Sequence, residues 1–269
     1  MSDFPHTLDA AVALTPAGEH HFTGHTHPAY GNMVGPFGGT IAATLLNGIW
    51  THPERLGEPV SLTVHYAAPI EDGAFEVHAR PLRTNRSTQH WLVELRQKGA
   101  VASFATAMTA VRRDTWSATD AVFPQVLAAE QLPRAANLFS TAWPRAYDMR
   151  FVDGEQALGG EERDDSLTRV WIRDEPPRPL DFLALSAICD AFLPRIFVRR
   201  PRLVPAGTVT MTIYFHADAA LLAAQGSAHV LGCARGLRFH QGFHDQTAEV
   251  WSPHGDLLAV GHQVVYFKE

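Results

Sequence analysis

The segment Leu92–Val111 reads LVELRQKGAVASFATAMTAV, and the segment Ala248–Phe267 reads AEVWSPHGDLLAVGHQVVYF. Each consists of an alternating apolar and polar run, a turn at Gly99 or Gly255, and a second alternating run. The connections have the length of hairpins and are too short for crossovers, so they favour antiparallel pairing. Because the second half of the chain repeats the pattern of the first, we expect two similar units in tandem.

The repetition extends upstream of these hairpins. Thr63–Tyr66, with the sequence TVHY, is echoed by Thr212–Phe215, with the sequence TIYF. Each half also carries one apolar helix candidate before its long strands, at Gly38–Trp50 and at Leu180–Leu193. One long helix wrapped by a curved antiparallel sheet, occurring twice, is the plan of a hot-dog pair. The predicted fold is therefore α+β, a tandem (double) hot-dog with two curved antiparallel sheets that each wrap a long helix.

The domain boundaries follow from a change of composition in the middle of the chain. Residues 114–146 are rich in alanine and proline and lack sustained strand alternation, which is typical of a linker. We therefore expect an N-terminal hot-dog domain at 1–113, an inter-domain linker at 114–146 and a C-terminal hot-dog domain at 147–269.

Composition excludes several classes of function. The formal charge of −6 and the pI near 6.2 give no electrostatic reason to expect a nucleic acid or an anionic membrane as a partner. No stretch approaches the ~20 apolar residues of a membrane span, and the N-terminus lacks the pattern of a signal peptide. Two cysteines make a disulfide framework unexpected. These features predict a cytoplasmic protein.

Asp190 is the strongest single indication of chemistry. Between Phe182 and Leu193 the helix candidate reads FLALSAICDAFL, in which Ser186 and Asp190 are the only polar residues and are expected to share a face. A carboxylate is costly to bury on an apolar helix, and near the helix C-terminus the helix dipole disfavours it. We interpret Asp190 as a functional group, with the alternative that it anchors a neighbouring loop through hydrogen bonds.

Gln263 is the second indication. Strand alternation places it on one face with small and apolar residues, where an amide implies a buried hydrogen-bonding role. When the two hairpins are aligned at Gly99 and Gly255, Gln263 corresponds to Ala107, so the first half lacks this group. That asymmetry favours function over a scaffold role.

Thr208 begins a strand whose expected face consists of Thr208, Thr210, Thr212 and Tyr214. On its own it is unremarkable, because threonine is common in strands.

These residues resemble the motifs of the acyl-CoA thioesterase II family, which has a double hot-dog fold, and the resemblance covers nearly the whole chain. Gly38-Gly39 resembles the family's glycine pair at a helix start, although Phe37 stands where many relatives have a histidine. Ser186–Asp190, Thr208-Val209 and His262-Gln263 resemble the segments that carry the family's aspartate, threonine and glutamine.

The resemblance implies an enzyme that hydrolyses an acyl-CoA thioester. Asp190, Thr208 and Gln263 would together hold the attacking water, and the backbone around Gly38 and Gly39 would stabilise the oxyanion or bind the substrate. No cofactor is implied beyond coenzyme A as part of the substrate, and the chain is a possible homo-oligomer.

Other features of the sequence carry less weight. The group His20, His21, His25 and His27 fits no standard ligand spacing, so no metal site is predicted. The group Arg195, Arg199, Arg200 and Arg202 favours a solvated basic loop over contact with the phosphates of coenzyme A.

Two other functions stay open at this point. A hot-dog enoyl-thioester hydratase or dehydratase would use a histidine and a carboxylate, but the chain has no Asp-x-Asn-Pro-x-His segment. A noncatalytic acyl-CoA or acyl-carrier binding protein would not need Asp190 and Gln263.

Overall fold

The computed structural model describes residues 6–136, 140–155 and 160–269. Over these residues the chain forms one continuous antiparallel sheet of 13 strands, accompanied by five α-helices and three short 3₁₀ helices. The α+β class is as predicted. The expectation of two separate sheets is wrong, because strands from both halves of the chain pair with each other and join the halves edge to edge.

The strands, in chain order, are β1 (Thr15–Gly18), β2 (His21–His25), β3 (Glu58–Tyr66), β4 (Ala74–Thr84), β5 (Thr88–Gln97), β6 (Ala100–Ala110), β7 (Tyr147–Asp153), β8 (Thr168–Asp174), β9 (Ala206–Phe215), β10 (Val230–Arg235), β11 (Phe239–His240), β12 (Phe243–Trp251) and β13 (Leu257–Phe267). The α-helices are α1 (Thr7–Ala11), α2 (Gly38–Trp50), α3 (Phe182–Ile188), α4 (Arg195–Arg199) and α5 (Ala219–Gln225). The 3₁₀ helices are Pro28–Tyr30, Ala129–Gln131 and Trp143–Ala146.

The two halves meet where β3 pairs with β9. The strand order is β1-β2-β4-β5-β6-β3-β9-β13-β12-β10-β8-β7, and β11 pairs with β12. From β4 to β10 the two halves of this order mirror each other: β4, β5, β6 and β3 of the first half correspond in the repeat to β10, β12, β13 and β9 of the second. Thr63 lies directly opposite Thr212, and their hydroxyl oxygens are 3.0 Å apart. Since these two threonines also correspond in the repeat, the junction relates the halves by an approximate two-fold axis.

Both repeated hairpins form as the sequence predicts. β5 turns into β6 at Gly99, with φ of 79°, and β12 turns into β13 through a loop that contains Gly255, with φ of 93°. These positive φ values are accessible to glycine without steric cost, so the repeated glycines specify the two turns.

The helix α2 has the bounds that the sequence predicts, whereas α3 is shorter than the predicted Leu180–Leu193. After Ile188 the α-helical hydrogen bonds give way to 3₁₀-type bonds between residues i and i−3. The Asp190 N–H donates to the Ala187 carbonyl at 3.2 Å, and the Ala191 N–H donates to the Ile188 carbonyl. Pro194 is the N-cap of the next helix, α4, which begins at Arg195 as a separate element. Asp190 therefore lies in a turn just beyond α3 and not within the helix.

The main core lies between the sheet and the pair α2 and α3, which pack against each other. The approach is close at Gly39, where a Cβ would lie 2.5 Å from the Ala187 carbonyl oxygen. Any larger residue at this position would push the two helices apart, which explains the glycine.

A second, smaller core involves the predicted linker. Trp171 and Trp251 pack with Ala129 on the face of the sheet opposite the main core, and Trp171 Nε1 donates to the Leu127 carbonyl at 2.8 Å. Residues 137–139 of this segment lie outside the described residues. The domain boundaries at 113 and 147 stay a prediction. Within the described residues, no helix combines the length and the apolar character that crossing a membrane requires.

Candidate active site

A cavity of about 110 Å³ opens where the end of α3 faces β9 and β13. Its lining residues are Asn32, Met33, Phe37, Thr141, Trp143, Asp190, Phe192, Leu193, Pro194, Phe197, Ala206, Gly207, Thr208 and Gln263. A single water needs roughly 10–15 Å³, so the cavity has room for water and for a small reacting group. Among the described residues that line it, one is a carboxylate and none is a histidine or cysteine, which is a poor ligand set for a metal.

Asp190 provides the carboxylate of this cavity. It accepts a hydrogen bond from Gln263 Nε2 at 2.8 Å and another from the backbone N–H of Gly39 at the start of α2. Burial raises the pKa of Asp190 to about 7, although both hydrogen bonds act in the opposite direction. Near neutral pH the group therefore exists in both protonation states, as a general base or acid requires.

Gln263 connects Asp190 to Thr208. The Thr208 hydroxyl donates to Gln263 Oε1 at 3.2 Å, and Gln263 Nε2 donates to Asp190 and, at 3.3 Å, to Met211 Sδ. Since a carboxylate only accepts, the amide nitrogen must face Asp190 and the amide oxygen must face Thr208. The three side chains thus form one hydrogen-bonded chain with a defined direction.

Thr208 reaches this chain because of an irregularity in β9. Gln263 pairs with Met211 and Val264 with Thr210, but Val265 pairs with Thr208, so Val209 is an extra residue in the strand. Such a β-bulge reverses the alternation beyond it. The predicted face Thr208, Thr210, Thr212 and Tyr214 is therefore wrong for Thr208, which lies on the face of Gln263 and Val265 instead.

The sequence repeat does not provide the same set in the first half. Ala107 on β6 lies opposite Leu62, as Gln263 on β13 lies opposite Met211. The alignment of Gln263 with Ala107 is thus confirmed by the sheet register. At this position only the second half carries an amide.

Gly38 and Gly39 are in contact with Asp190 itself. A Cβ on Gly38 would lie 2.6 Å from Asp190 Oδ2, so a side chain at this position would displace the carboxylate. Tyr66 was not singled out in the sequence, yet its hydroxyl donates to the Gly38 carbonyl at 2.9 Å. Tyr66 lies at the end of β3 and thereby fixes the start of α2 against the sheet.

The prediction that Ser186 and Asp190 lie on one face of a single helix is wrong, because Asp190 lies beyond the end of α3. Because α3 ends at Ile188, the two are not on one continuous helix, and the buried Ser186 hydroxyl donates to the Phe182 carbonyl at 2.6 Å. It does not line the cavity.

Arg195 differs from the expectation of a solvated basic loop. It is 0% exposed, and its guanidinium donates to the Leu193 carbonyl at 2.9 Å, to Thr168 Oγ1 at 2.9 Å and to Gln246 Oε1 at 3.1 Å. The bonds to Thr168 and Gln246 tie the segment after Asp190 to β8 and β12. No pattern in the sequence distinguishes Arg195 from the other arginines, so sequence reasoning missed it.

Two aromatic rings form a wall of the cavity. Phe37, which immediately precedes α2, stacks on Trp143 with ring centroids 4.4 Å apart and an angle of 7° between the ring planes. Both side chains are buried. This wall makes one side of the cavity apolar, while Asp190, Thr208 and Gln263 make the other side polar.

Family models for acyl-CoA thioesterases match both halves of the chain. The model of the acyl-CoA thioesterase N-terminal domain matches residues 26–112, and that of the acyl-CoA thioesterase C-terminal domain matches residues 124–267. The sequence has no significant match among the curated proteins.

Solved structures show the same overall fold. A conserved protein of unknown function with a hot dog fold from Alicyclobacillus acidocaldarius is 46% identical, with 99% of each chain covered and a TM-score of 0.94. The tesB protein of Mycobacterium avium subspecies paratuberculosis is 18% identical, with a TM-score of 0.80 and coverage of 97% of this chain and 98% of that one. The acyl-CoA thioesterase II TesB2 of Mycobacterium marinum is 17% identical, with a TM-score of 0.78 and the same coverage.

Proposed function

The chain belongs to the acyl-CoA thioesterase family, and on that premise we propose that it hydrolyses an acyl-CoA to the free acid and coenzyme A by direct attack of water. The observation that carries this proposal is the hydrogen-bonded chain Asp190–Gln263–Thr208 on the polar side of the cavity.

Asp190 acts as the general base in this proposal. A base works best when its pKa lies close to the working pH, and burial raises the pKa of Asp190 to about 7. Ionised Asp190 takes a proton from the water as the oxygen attacks the thioester carbonyl carbon. When the tetrahedral intermediate collapses, the carbon–sulfur bond breaks and the proton passes from Asp190 to the departing thiolate.

Thr208 and Gln263 position the water and the base. The Thr208 hydroxyl uses its proton to donate to Gln263 Oε1, which leaves its oxygen lone pairs to accept from the water. Gln263 Nε2 holds the Asp190 carboxylate at 2.8 Å. Removing any of the three side chains would take away a hydrogen bond that orients the other two.

The start of α2 stabilises negative charge at the reacting centre. A helix N-terminus carries a partial positive charge of roughly half an elementary unit, and Gly38 and Gly39 allow the carboxylate to approach it closely. The Gly39 N–H donates to Asp190 in the structure, so its first effect is on the base. The developing oxyanion lies in the same electrostatic field in this proposal.

The apolar side of the cavity suits the acyl group of the substrate. Phe37 and Trp143 offer aromatic surface next to the polar triad, and Phe192 and Phe197 extend that surface. Phe37 stands where many relatives have a histidine. An apolar ring at this position favours contact with an acyl chain over proton transfer.

The experiment is thiol release from a panel of short, medium, long and aryl acyl-CoAs. We expect Asp190→Asn to lower kcat by about 10²–10⁴-fold, the usual contribution of a general base. Asp174→Asn is the matched control, because burial also raises the pKa of Asp174 to about 7, yet Asp174 does not line the cavity. Equal loss of turnover in both variants would contradict the proposed role of Asp190.

The same panel separates the two alternative functions. A hydratase would consume the conjugated double bond of an enoyl-CoA without releasing thiol. A noncatalytic binding protein would bind acyl-CoA in calorimetry and release no thiol in either form of the protein.

A further inference from the structure

Two histidines and a glutamate meet on the solvent face of the sheet, where His21 of β2 lies next to Glu76 and His78 of β4. His21 on β2 lies directly opposite His78 on β4 in the strand register. Glu76 precedes His78 by two residues and so points to the same face. Val77 and Ala79, which alternate with them, are fully buried on the other face. The three polar side chains therefore share one accessible patch.

The ligand atoms of these residues have the spacing of a metal site. Glu76 Oε2 is 3.3 Å from His78 Nε2 and 3.7 Å from His21 Nε2, and all three atoms lie within 4.8 Å of one another. In a tetrahedral zinc site with bonds of about 2.1 Å, neighbouring ligand atoms are about 3.4 Å apart. Small rotations of the side chains would bring the three atoms onto such a tetrahedron.

His21 Nε2 also lacks a hydrogen-bond partner among the described residues. The atom is shielded from solvent, and no hydrogen bond reaches it from any of the described residues. The two imidazole rings stack with centroids 4.4 Å apart, which keeps both rings next to the Glu76 carboxylate. A shielded ring nitrogen without a hydrogen bond is unfavourable, and a metal ion is a natural partner for its lone pair.

We propose that His21, Glu76 and His78 bind a divalent transition metal of the Zn²⁺ type, with water as the fourth ligand. Two imidazoles and one carboxylate form a ligand set that Zn²⁺ accepts readily. The spacing of the histidines in the sequence does not suggest this site, because its ligands come from two strands and only the register of β2 against β4 brings them together.

The site lies well away from Asp190. Four strand spacings separate β4 from β9 in the sheet, which is about 19 Å at the usual distance between strands. The metal therefore takes no part in the proposed hydrolysis. Its effect is to clamp β2, near one end of the open sheet, to β4.

The test uses the full chain without a histidine tag, stripped of metal with a chelator. Zn²⁺ binding is measured by calorimetry and by the metal content after dialysis, and Co²⁺ serves as a visible probe of four-coordination. We expect one equivalent of Zn²⁺ for the wild type. We expect at least about tenfold weaker binding for His21→Ala, His78→Ala and Glu76→Gln, since loss of even outer partners costs that much. His90→Ala, an exposed histidine on the adjacent strand β5, is the matched control and should bind normally.

Several results would overturn the proposal. They include the absence of Zn²⁺ binding by the wild type, and binding that survives His78→Ala unchanged. Loss of binding in His20→Ala alone would assign the metal to the neighbouring group Glu19, His20 and Glu54 instead. Thiol release from acyl-CoA should be the same for the wild type and His78→Ala, so failure of this site and failure of the proposed hydrolysis are measured separately.

Discussion

Replacing Asp190 with asparagine should make the protein more stable at alkaline pH, although it lowers activity. Burial raises the pKa of Asp190 from 3.8 to about 7, so the folded protein holds this proton more tightly than the unfolded chain does. Between these two values the folded state binds more protons, and stability therefore falls as the pH rises. Above about pH 7 the whole penalty of the buried charge is present.

The size of the effect follows from the shift of the pKa. Each unit corresponds to about 1.4 kcal/mol, so the ionised Asp190 costs about 4 kcal/mol of unfolding free energy above pH 7 and about 1.5 kcal/mol at pH 5. Asparagine carries no charge at any of these pH values. The stability difference between the variant and the wild type should thus grow by about 2 to 3 kcal/mol between pH 5 and pH 8.

The assay is urea unfolding of the wild type and Asp190→Asn at several pH values from 5 to 8. Changes in hydrogen bonding that come with the substitution alter the unfolding free energy equally at every pH. The pH dependence of the stability difference therefore isolates the effect of the buried charge. Asp120→Asn, on an exposed segment, is the control for removal of a carboxylate that is not buried. A stability difference that stays constant with pH, or that falls as the pH rises, would refute the argument from burial.

Three further predictions concern the same site. The kcat of the wild type should rise with pH and level off above about 7, as Asp190 loses its proton, and a pH–rate profile that is flat from 5 to 9 would contradict its role as base. Gly38→Ala should lower kcat by about 10²-fold, because the added Cβ would lie 2.6 Å from Asp190 Oδ2 and displace the carboxylate. Gly18→Ala is the control and should retain activity, because its Cβ would lie 3.7 Å from its nearest neighbour. Thr208→Val should lower kcat by about 10- to 100-fold, because it leaves the Gln263 oxygen without its donor. Thr210→Val, on the opposite face of β9, should not lower kcat. Equal effects of the two substitutions would refute the orientation that the bulge gives Thr208.

Most of the regular structure could be predicted from the sequence, because it depends on local patterns. The hairpins at Gly99 and Gly255 are specified by alternation and by a glycine at a positive φ angle. The bounds of α2 follow from an apolar run that begins at a glycine pair and ends before a polar loop. The repeat itself predicted that the halves would be alike, but not that β3 and β9 would pair and merge them into one sheet.

The residue types of the site could be predicted, but its geometry could not. Asp190 and Gln263 stood out because a polar group on an apolar face requires an explanation. The early end of α3 and the bulge at Val209 cannot be predicted from the local sequence, because both depend on how the segments pack. Without the bulge, strand alternation assigns Thr208 to the wrong face.

The departures from regularity coincide in space, and this coincidence bears on function. In the second half of the chain, the helix ends early at Ile188, β9 contains an extra residue at Val209, and an amide replaces the alanine of the first half. Each change weakens regular secondary structure or buries a polar group, so stability alone does not favour it. Together they direct Asp190, Thr208 and Gln263 into one cavity. β3 contains the corresponding extra residue at Val60, so the bulge belongs to both halves of the repeat. The second half differs from the first in its shorter helix and in the amide of Gln263, where the first half has Ala107, as expected when one member of a repeat carries the chemistry.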